Sequence, residues 1–315
     1  MSAPGRAAAD DSNALGTQRA RSTDKRVDIN AMIFWLVQAL NGISFGMLLF
    51  LLASGLSLIF GLMKILNLTH GSFYLLGGYV GLTVIQKTGS FVLAVVSAAS
   101  VIAIIGIVIE RFFLRRFHLQ ELSQALVTFG FLFIISDLTT VIWGPNPQTI
   151  PKPAMFDGAV HLGSFYYPEY RLFIIGFGLI IAALLWWLQE GTRIGAMLRA
   201  SVDDEEVARA LGINVSILFT LVFALGAALA ALGGVMGGPI VGIYPGADFQ
   251  ILLLGFVVII IGGLGSLKGA LIGALIVGLL DNFGKVLFPE LALFTIFAPM
   301  ALILAVRPTG LFGRE

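Results

Sequence analysis

The sequence predicts an all-α protein, a polytopic transmembrane helical bundle of about eight to ten spans that include broken or re-entrant segments. Of its 315 residues, 58% are hydrophobic and only 12% are charged, and the mean hydropathy is +0.96. Such a chain has too little polar material to cover the surface of a soluble domain. Its 38 glycines are typical of membrane helices that pack closely or are interrupted.

The N-terminal residues differ from the rest of the chain. Residues 1–30 are polar, carry five Lys and Arg side chains, and contain no apolar run of the roughly 7–15 residues that a signal peptide needs. We therefore expect a disordered cytosolic tail over residues 1–30 and a transmembrane domain over residues 31–315. The first span would itself direct insertion.

Charge-free runs mark the expected spans, because a crossing helix needs about 20 mostly apolar residues. The runs are residues 31–63, 68–86, 88–109, 122–136 (continuing past Asp137 to 143), 172–189, 213–247, 249–267, 269–280 and 291–306. Run 31–63 is too long for one upright helix, and the poor helix formers of residues 41–44 interrupt it. This predicts two short or broken segments there.

Two further interruptions are predicted near the C-terminus. The glycine-rich segment 262–269 divides residues 249–280, and Gly237-Gly238-Pro239 is expected to stop the helix that begins near Ile213. Backbone that leaves a helix at membrane depth is tolerated only against protein or a wet cavity, so these breaks indicate a transport path.

The distribution of positive charge predicts the orientation. If residues 31–63 cross twice and residues 249–267 and 269–280 form an out-in-out pair, both termini are cytosolic. All of the 19 Lys and Arg except Lys87, Lys152, Arg171 and Lys285 then lie on the cytosolic side. This is the bias of a multi-pass protein of the bacterial inner membrane.

Residues 190–212 form the longest internal polar segment and predict a short cytosolic helix. Asp203 is expected to cap its first amides, with Glu206 reaching back, and Gly212 to end it in a left-handed conformation. A helix with one small apolar face suits the groove of a partner protein, although a solvated connector fits the pattern equally well. The predicted contact residues are Asp203, Asp204, Glu205, Val207, Ala208, Leu211 and Gly212.

Polar residues within the apolar runs are the candidate site residues. Asn67, Thr69, His70 and Ser72 either hold a broken helix end beside a translocation path or satisfy one another at the membrane surface. Asp137 either lines the path or reaches the outer interface. Asp248 falls at the end of a segment, where a solvated position is expected.

The sequence offers no catalytic or metal site. There is no cysteine, and the three histidines fall on different predicted segments. The segment 262–269 is not a phosphate-binding loop, because Leu267 precedes Lys268 and Gly269 follows it. We therefore expect neither an enzyme nor a bound cofactor.

Four motifs follow one another along the chain. They are Asn67-Leu68-Thr69-His70-Gly71-Ser72 with Gly77-Gly78-Tyr79, the loop from Arg199-Ala200 to Ile213, Gly262 to Ala270, and Arg307-Pro308-Thr309-Gly310-Leu311-Phe312-Gly313. In this order they resemble the permeases of the branched-chain amino acid ABC importer family, specifically the shorter of its two paired permease types. Leu68-Thr69 departs from the family's usual Phe-Ala, and Arg307 stands where an apolar residue is common, which puts the substrate in doubt.

This resemblance implies a subunit of a larger importer. Its partners would be a second permease, distinct or a second copy, two cytosolic ATPases that bind the ATP, a periplasmic solute-binding protein and membrane lipid, with no nucleic acid. The solute would be a branched-chain amino acid or a related small polar molecule such as an amide, urea or an aromatic acid. The alternative is a self-sufficient passive channel or a secondary transporter. Secondary transporters that couple to ions often carry several charged side chains within the membrane, so the scarcity of such charges disfavours ion coupling but not a passive channel.

Overall fold

The computed structural model describes residues 5–117, 120–162 and 165–313, with side chains from residue 30 onward. The helices of this part are α1 Gly5–Met63, α2 His70–Thr88, α3 Phe91–Phe112, α4 Glu121–Trp143, α5 Glu169–Gly191, α6 Arg193–Asp203, α7 Glu205–Ala210, α8 Val215–Val241, α9 Ala247–Gly262, α10 Leu267–Leu287 and α11 Ala292–Val306. Strands β1 Ala159–Leu162 and β2 Phe165–Pro168 form an antiparallel hairpin. Within the described ranges, seven helices are long and apolar enough to cross a membrane, and α9 is a shorter apolar helix. The predicted polytopic helical bundle is confirmed.

Helix α1 is continuous, so the prediction of two segments in residues 31–63 was wrong. The poor helix formers of residues 41–44 are accommodated by contact with α10. A Cβ on Gly42 would lie 2.9 Å from Cα of Leu279, and Nδ2 of Asn282 donates to the carbonyl oxygen of Gln38 at 2.8 Å. The helix also takes in residues 5–30, for which the sequence predicted a disordered tail, whereas residues 1–4 lie outside the described part.

The two predicted glycine-rich breaks differ in outcome. The break in segment 262–269 is confirmed, since α9 ends at Gly262 and α10 begins at Leu267, with Gly263 and Gly265 at φ +105° and +77°. The predicted stop at Gly237-Gly238-Pro239 was wrong, because α8 continues through Pro239 to Val241. The proline removes one hydrogen bond near the helix end, and the backbone bridge between Gln148 and Ile243 holds the chain just beyond it.

The bundle has two opposite faces. We call the face that carries residues 190–212 the loop face, and the one that carries the β1–β2 hairpin the hairpin face. Helix α1 runs from the hairpin face, where Gln38 meets Asn282, to the loop face at Lys64. The C-terminal segment lies at the loop face, where the amide of Phe312 donates to Gly262 at 2.9 Å. Because α1 crosses once, residue 30 and residue 313 lie on opposite faces. The prediction that both termini lie on one side depended on two crossings by residues 31–63, which the structure does not have.

Candidate functional site

Helices α1 and α2 are separated by a non-helical segment within the bundle. Residues 64–69 join Met63 to His70, and Lys64 adopts the left-handed conformation with φ +53°. Asn67, Thr69, His70 and Ser72 all have 0% exposure. The structure therefore brings these four predicted site residues together as a buried cluster, which we call the α2 start.

Hydrogen bonds tie the α2 start to its neighbours. Oγ1 of Thr69 donates to the carbonyl oxygen of Thr128 in α4 at 2.8 Å, and Oγ1 of Thr128 accepts from the amide of Leu68 at 3.2 Å. Nε2 of His70 lies 3.0 Å from the carbonyl oxygen of Leu52 in α1. Because a carbonyl oxygen only accepts, Nε2 carries the ring proton of this histidine.

Several polar atoms at this position remain without a hydrogen-bond partner in the described residues. They are Nδ2 and Oδ1 of Asn67, Nδ1 of His70 and Oδ2 of Asp248. Asp248 lies in the first turn of α9 and is 1% exposed, so its expected solvated position was wrong. The chain buries it because α9 begins inside the bundle, where a Cβ on Gly71 would lie only 2.3 Å from the backbone oxygen of Asp248.

Asp137 is not part of this cluster. It lies on an exposed side of α4, next to the exposed Leu138, and no partner for it is found among the residues described. The structure thus separates Asp137 from the other four predicted path residues.

The loop between α5 and α8 contains two helices where the sequence predicted one. Helix α6 extends through Asp203, so the cap of α7 is the following residue, Asp204, and the prediction of Asp203 as the cap was wrong. Asp204 has extended backbone angles, and its Oδ1 accepts from the amide of Val207 at 3.0 Å. Gly212 ends the segment at φ +85°, as predicted.

The predicted apolar face of α7 is divided in the structure. Ala208 is buried at 1% exposure, whereas Val207 and Leu211 are 53% and 75% exposed. Val207 lies within α7, and Leu211 is the residue that caps its C-terminus, four positions further along the chain. Arg209 pairs with Glu205 at 2.5 Å. The loop face therefore presents two apolar side chains at a capped helix.

A cavity of about 550 Å³ lies between this loop and the transmembrane helices. Its wall includes Asp203 and Glu205 from the loop, Lys64 from the end of α1, and Glu110 with Arg115. The loop between α5 and α8 therefore adjoins the segment that leads directly into the α2 start. Sequence reasoning had not linked these two regions.

A larger cleft at the loop face is lined by residues of α1, α4, α5, α8 and α10. Its volume is about 1020 Å³, and aliphatic and aromatic side chains supply most of its wall. Charged and amide side chains surround its mouth: Lys64, Glu121, Gln189, Glu190, Arg199 and Lys268. Leu66, in the segment before the α2 start, also lines it.

Comparison with known proteins identifies related sequences over most of the chain. Residues 38–306 match the family described as "Branched-chain amino acid transport system / permease component". The chain is similar to the high-affinity branched-chain amino acid transport system permease protein LivH of Escherichia coli K12, with 29% identity over 90% of this chain and 96% of that protein. It is also similar to the permease protein BraD of Pseudomonas aeruginosa, with 28% identity over 89% and 96%, and to the ribose import permease protein RbsC of Escherichia coli K12, with 25% identity over 75% and 71%.

Proposed function

The chain belongs to the family of branched-chain amino acid transport system permease components, and we propose that it is the membrane subunit through which partner ATPases drive uptake of a small solute. The solute would be a branched-chain amino acid, as for LivH and BraD, or a related polar molecule such as an amide, urea or an aromatic acid. A second permease would complete the path, and a periplasmic binding protein would deliver the solute.

The observation that carries this proposal is the exposed pair of Val207 in α7 and Leu211, the residue that directly follows α7. Exposed apolar side chains at the end of a loop, on a helix fixed by its cap, are suited to a groove in a partner protein. The partner would be a cytosolic ATPase that binds and hydrolyses ATP, and the chain itself would need no cofactor.

The orientation follows from this assignment. The loop face would be cytosolic, with the C-terminus, and the hairpin face would be periplasmic. The charges of the membrane domain agree, because Lys87, Lys152, Arg171 and Lys285 are its cations on the hairpin side of the chain, and the other cations within residues 31–313 lie towards the loop face. Residue 30, within α1, would then lie on the periplasmic side.

The α2 start would support the path beside which it lies. Leu66 lines the cleft and is followed at once by Asn67, while Thr69 and His70 bind the backbones of α4 and α1. We assign Asn67, Thr69, His70 and Ser72 the role of holding this broken helix end next to the path. Asp137, exposed on α4, would face water or the second permease, because an ionised side chain is costly in lipid.

The experiment tests the partner surface directly. The double variant Val207→Glu, Leu211→Glu is expected to insert normally but to lose co-purification of the ATPases and at least about tenfold of leucine uptake, since each charge would have to be buried in an apolar groove. Met155→Glu is the matched control, because Met155 is an apolar side chain, 80% exposed, on the hairpin face.

Two results would contradict the proposal. Retention of the ATPases by the double variant would show that α7 is not their docking surface. Solute conduction by the purified chain alone, without ATP, would favour the passive channel instead.

A further inference from the structure

Helix α4 lies at the edge of the bundle. Within the described residues it packs mainly against α2 and against the short turn of residues 114–117 that precedes it. One of its outer sides is exposed along its length, through Leu126, Gly130, Ile134, Asp137 and Val141. These residues are three or four positions apart, so they lie on one side of the helix, which we call the Asp137 face.

Asp137 lies at membrane depth on this face. It is six residues before Trp143, so it lies about 9 Å below the hairpin-face end of α4. Trp143 is fixed there, because its Nε1 donates to Oγ1 of Thr83 at 2.8 Å, and tryptophan is typical of the membrane interface. A carboxyl group that far inside the interface is costly in lipid and normally faces protein or water.

Gly130 is a second, independent feature of the Asp137 face. A Cβ at this position would meet no atom within 4 Å, and its φ is not positive. Neither the packing nor the backbone of this chain therefore requires glycine here, although glycine weakens the interior of a helix. Between membrane helices, glycine lets two backbones approach closely. The notch at Gly130, two turns from Asp137, therefore indicates close contact with another helix.

The charge on this face selects the kind of partner. A second copy of this chain would meet the face across a two-fold axis, which would bring its own Asp137 close to the first. Two carboxylates at membrane depth repel each other strongly, because the dielectric constant there is low. A different chain can instead place a donor opposite Asp137.

From this geometry we infer that the Asp137 face of α4 is the docking surface for a second, different permease. The contacting helix of that permease carries a cationic or amide side chain that donates to Asp137, and its backbone packs into the notch at Gly130. The inference rests on the proposed function, which includes a second permease, and adds to it the surface that binds this partner and the chemistry that selects it.

The first test fills the notch. Gly130→Leu is expected to reduce the second permease that co-purifies with the tagged chain at least about fivefold, because the two backbones can no longer approach. The melting temperature of the chain alone should not fall, since no atom of the chain lies within 4 Å of the added Cβ.

The matched control is Gly176→Leu in α5. Gly176 likewise has no atom within 4 Å of its Cβ position, but its neighbours Leu172 and Ile180 make an exposed face without a charge. This variant should retain the second permease. Retention by Gly130→Leu as well, or equal loss from both variants, would overturn the assignment of the docking surface to α4.

The second test addresses the carboxyl group. Asp137→Leu should reduce co-purification of the second permease at least about threefold, because the partner's donor is left without an acceptor, whereas Asp137→Asn keeps an acceptor and should retain most of it. If the Asp137 face met lipid instead, leucine would suit it better than aspartate, and assembly would be unchanged. Normal assembly of Asp137→Leu would therefore contradict the inference.

The third test distinguishes a different permease from a second copy, and it uses the absence of cysteine from the chain. With a different permease, Ile134→Cys should form no disulfide-linked dimer of this chain on oxidation. A lipid-soluble thiol reagent should label it at least about fivefold more slowly in the complex than in the chain alone. Ile180→Cys, exposed on α5, is the control and should be labelled equally in both. A dimer through Ile134→Cys would make a second copy the occupant.

The wild-type chain separates the two levels of the argument. If it recovers no second permease from membranes that contain both proteins, the proposed assembly fails, and the docking surface fails with it. If it recovers the second permease and Gly130→Leu recovers as much, only the docking surface fails.

Discussion

Two helix contacts in the bundle differ in the atoms that meet: α8 packs against α2 through backbone, whereas α5 packs against α1 through side chains. In the first region backbones meet directly: a Cβ on Gly234 would lie 2.0 Å from the backbone oxygen of Tyr74, and one on Gly77 would lie 2.5 Å from Cα of Ala231. In the second, a flexible side chain makes the contact: a Cβ on Gly178 would meet Cβ, Cγ and Sδ of Met47, not backbone. Gly176 of α5 has no atom within 4 Å of its Cβ position.

This difference indicates which part of the protein is rigid. Helices in lipid gain little from burying apolar surface, so their association depends on close packing and on hydrogen bonds. Backbone contacts through glycine allow no displacement without a clash, whereas a flexible methionine adapts to a new position. We therefore expect α1, α2, α3 and α8 to move as one body and α5 to move against it.

The largest expected effect comes from a single methyl group in the rigid region. Gly234→Ala would place Cβ against the backbone oxygen of Tyr74, which cannot rotate away, and should destabilise the protein by more than about 4 kcal/mol or prevent its folding. Gly176→Ala adds the same atom to α5 in open space and should change the melting temperature little. The measurement is the yield and thermal stability of the detergent-purified chain.

Similar stability of these two alanine variants would break the comparison. It would show that α8 and α2 have room to shift, and the rigid body would then have to be defined by other contacts.

A smaller effect is expected at Glu110, whose hydrogen bond to Thr220 joins α3 to α8. The carboxylate of Glu110, 2% exposed, lies 3.5 Å from Nε of Arg115 and accepts from Oγ1 of Thr220 at 2.6 Å. Glu110→Ala should lower the free energy of unfolding by about 1–3 kcal/mol, because it removes a buried carboxylate that accepts from Thr220 and pairs with Arg115. Thr220 keeps the carbonyl oxygen of Ser216 as an acceptor, and Arg115 still donates to that oxygen and to Thr220.

Glu110→Gln sharpens the interpretation, because it keeps an acceptor for Thr220 and removes only the charge. It should lose less stability than Glu110→Ala in the same thermal unfolding assay. If both substitutions have no effect, the hydrogen bond between Glu110 and Thr220 does not contribute to holding α3 on α8.

Much of the fold could be predicted because it depends on local composition. Apolar runs of spanning length gave the bundle, and the glycines of segment 262–269 gave the break between α9 and α10. The errors arose where tertiary contact overrides local preference. Asn41 and Gly42 stay helical because α10 packs closely there, and Pro239 is tolerated because it lies in the last turn of α8.

The site was less predictable for the same reason. The polar residues of the α2 start stand out in an apolar run, so the sequence identifies them as a group. The walls of the cleft, such as Leu58 and Ala183, are ordinary residues of apolar helices, and only their position beside the cleft distinguishes them. The burial of Asp248 likewise depends on where α9 begins, which no pattern in its own segment shows.

The smallest expected effect concerns Lys64, where the rigid helix α1 ends at the mouth of the cleft. Lys64 has a positive φ of +53°, whereas the other residues with positive φ in the described part of the chain are glycines. Lys64→Gly should raise the free energy of unfolding by up to about 1 kcal/mol, because glycine adopts this conformation without the Cβ clash. Lys64→Ala keeps the Cβ and should bring no such gain.

Both variants remove the ammonium group, so both should lower leucine uptake to a similar extent if that group attracts the solute carboxylate at the cleft mouth. Lysine at this position, whose conformation favours glycine, would then lower the free energy of unfolding but increase solute uptake. If the glycine variant is no more stable than the alanine variant, the left-handed conformation at Lys64 is not strained. If both variants take up leucine normally, the ammonium group does not attract the solute, and the mouth of the path lies elsewhere.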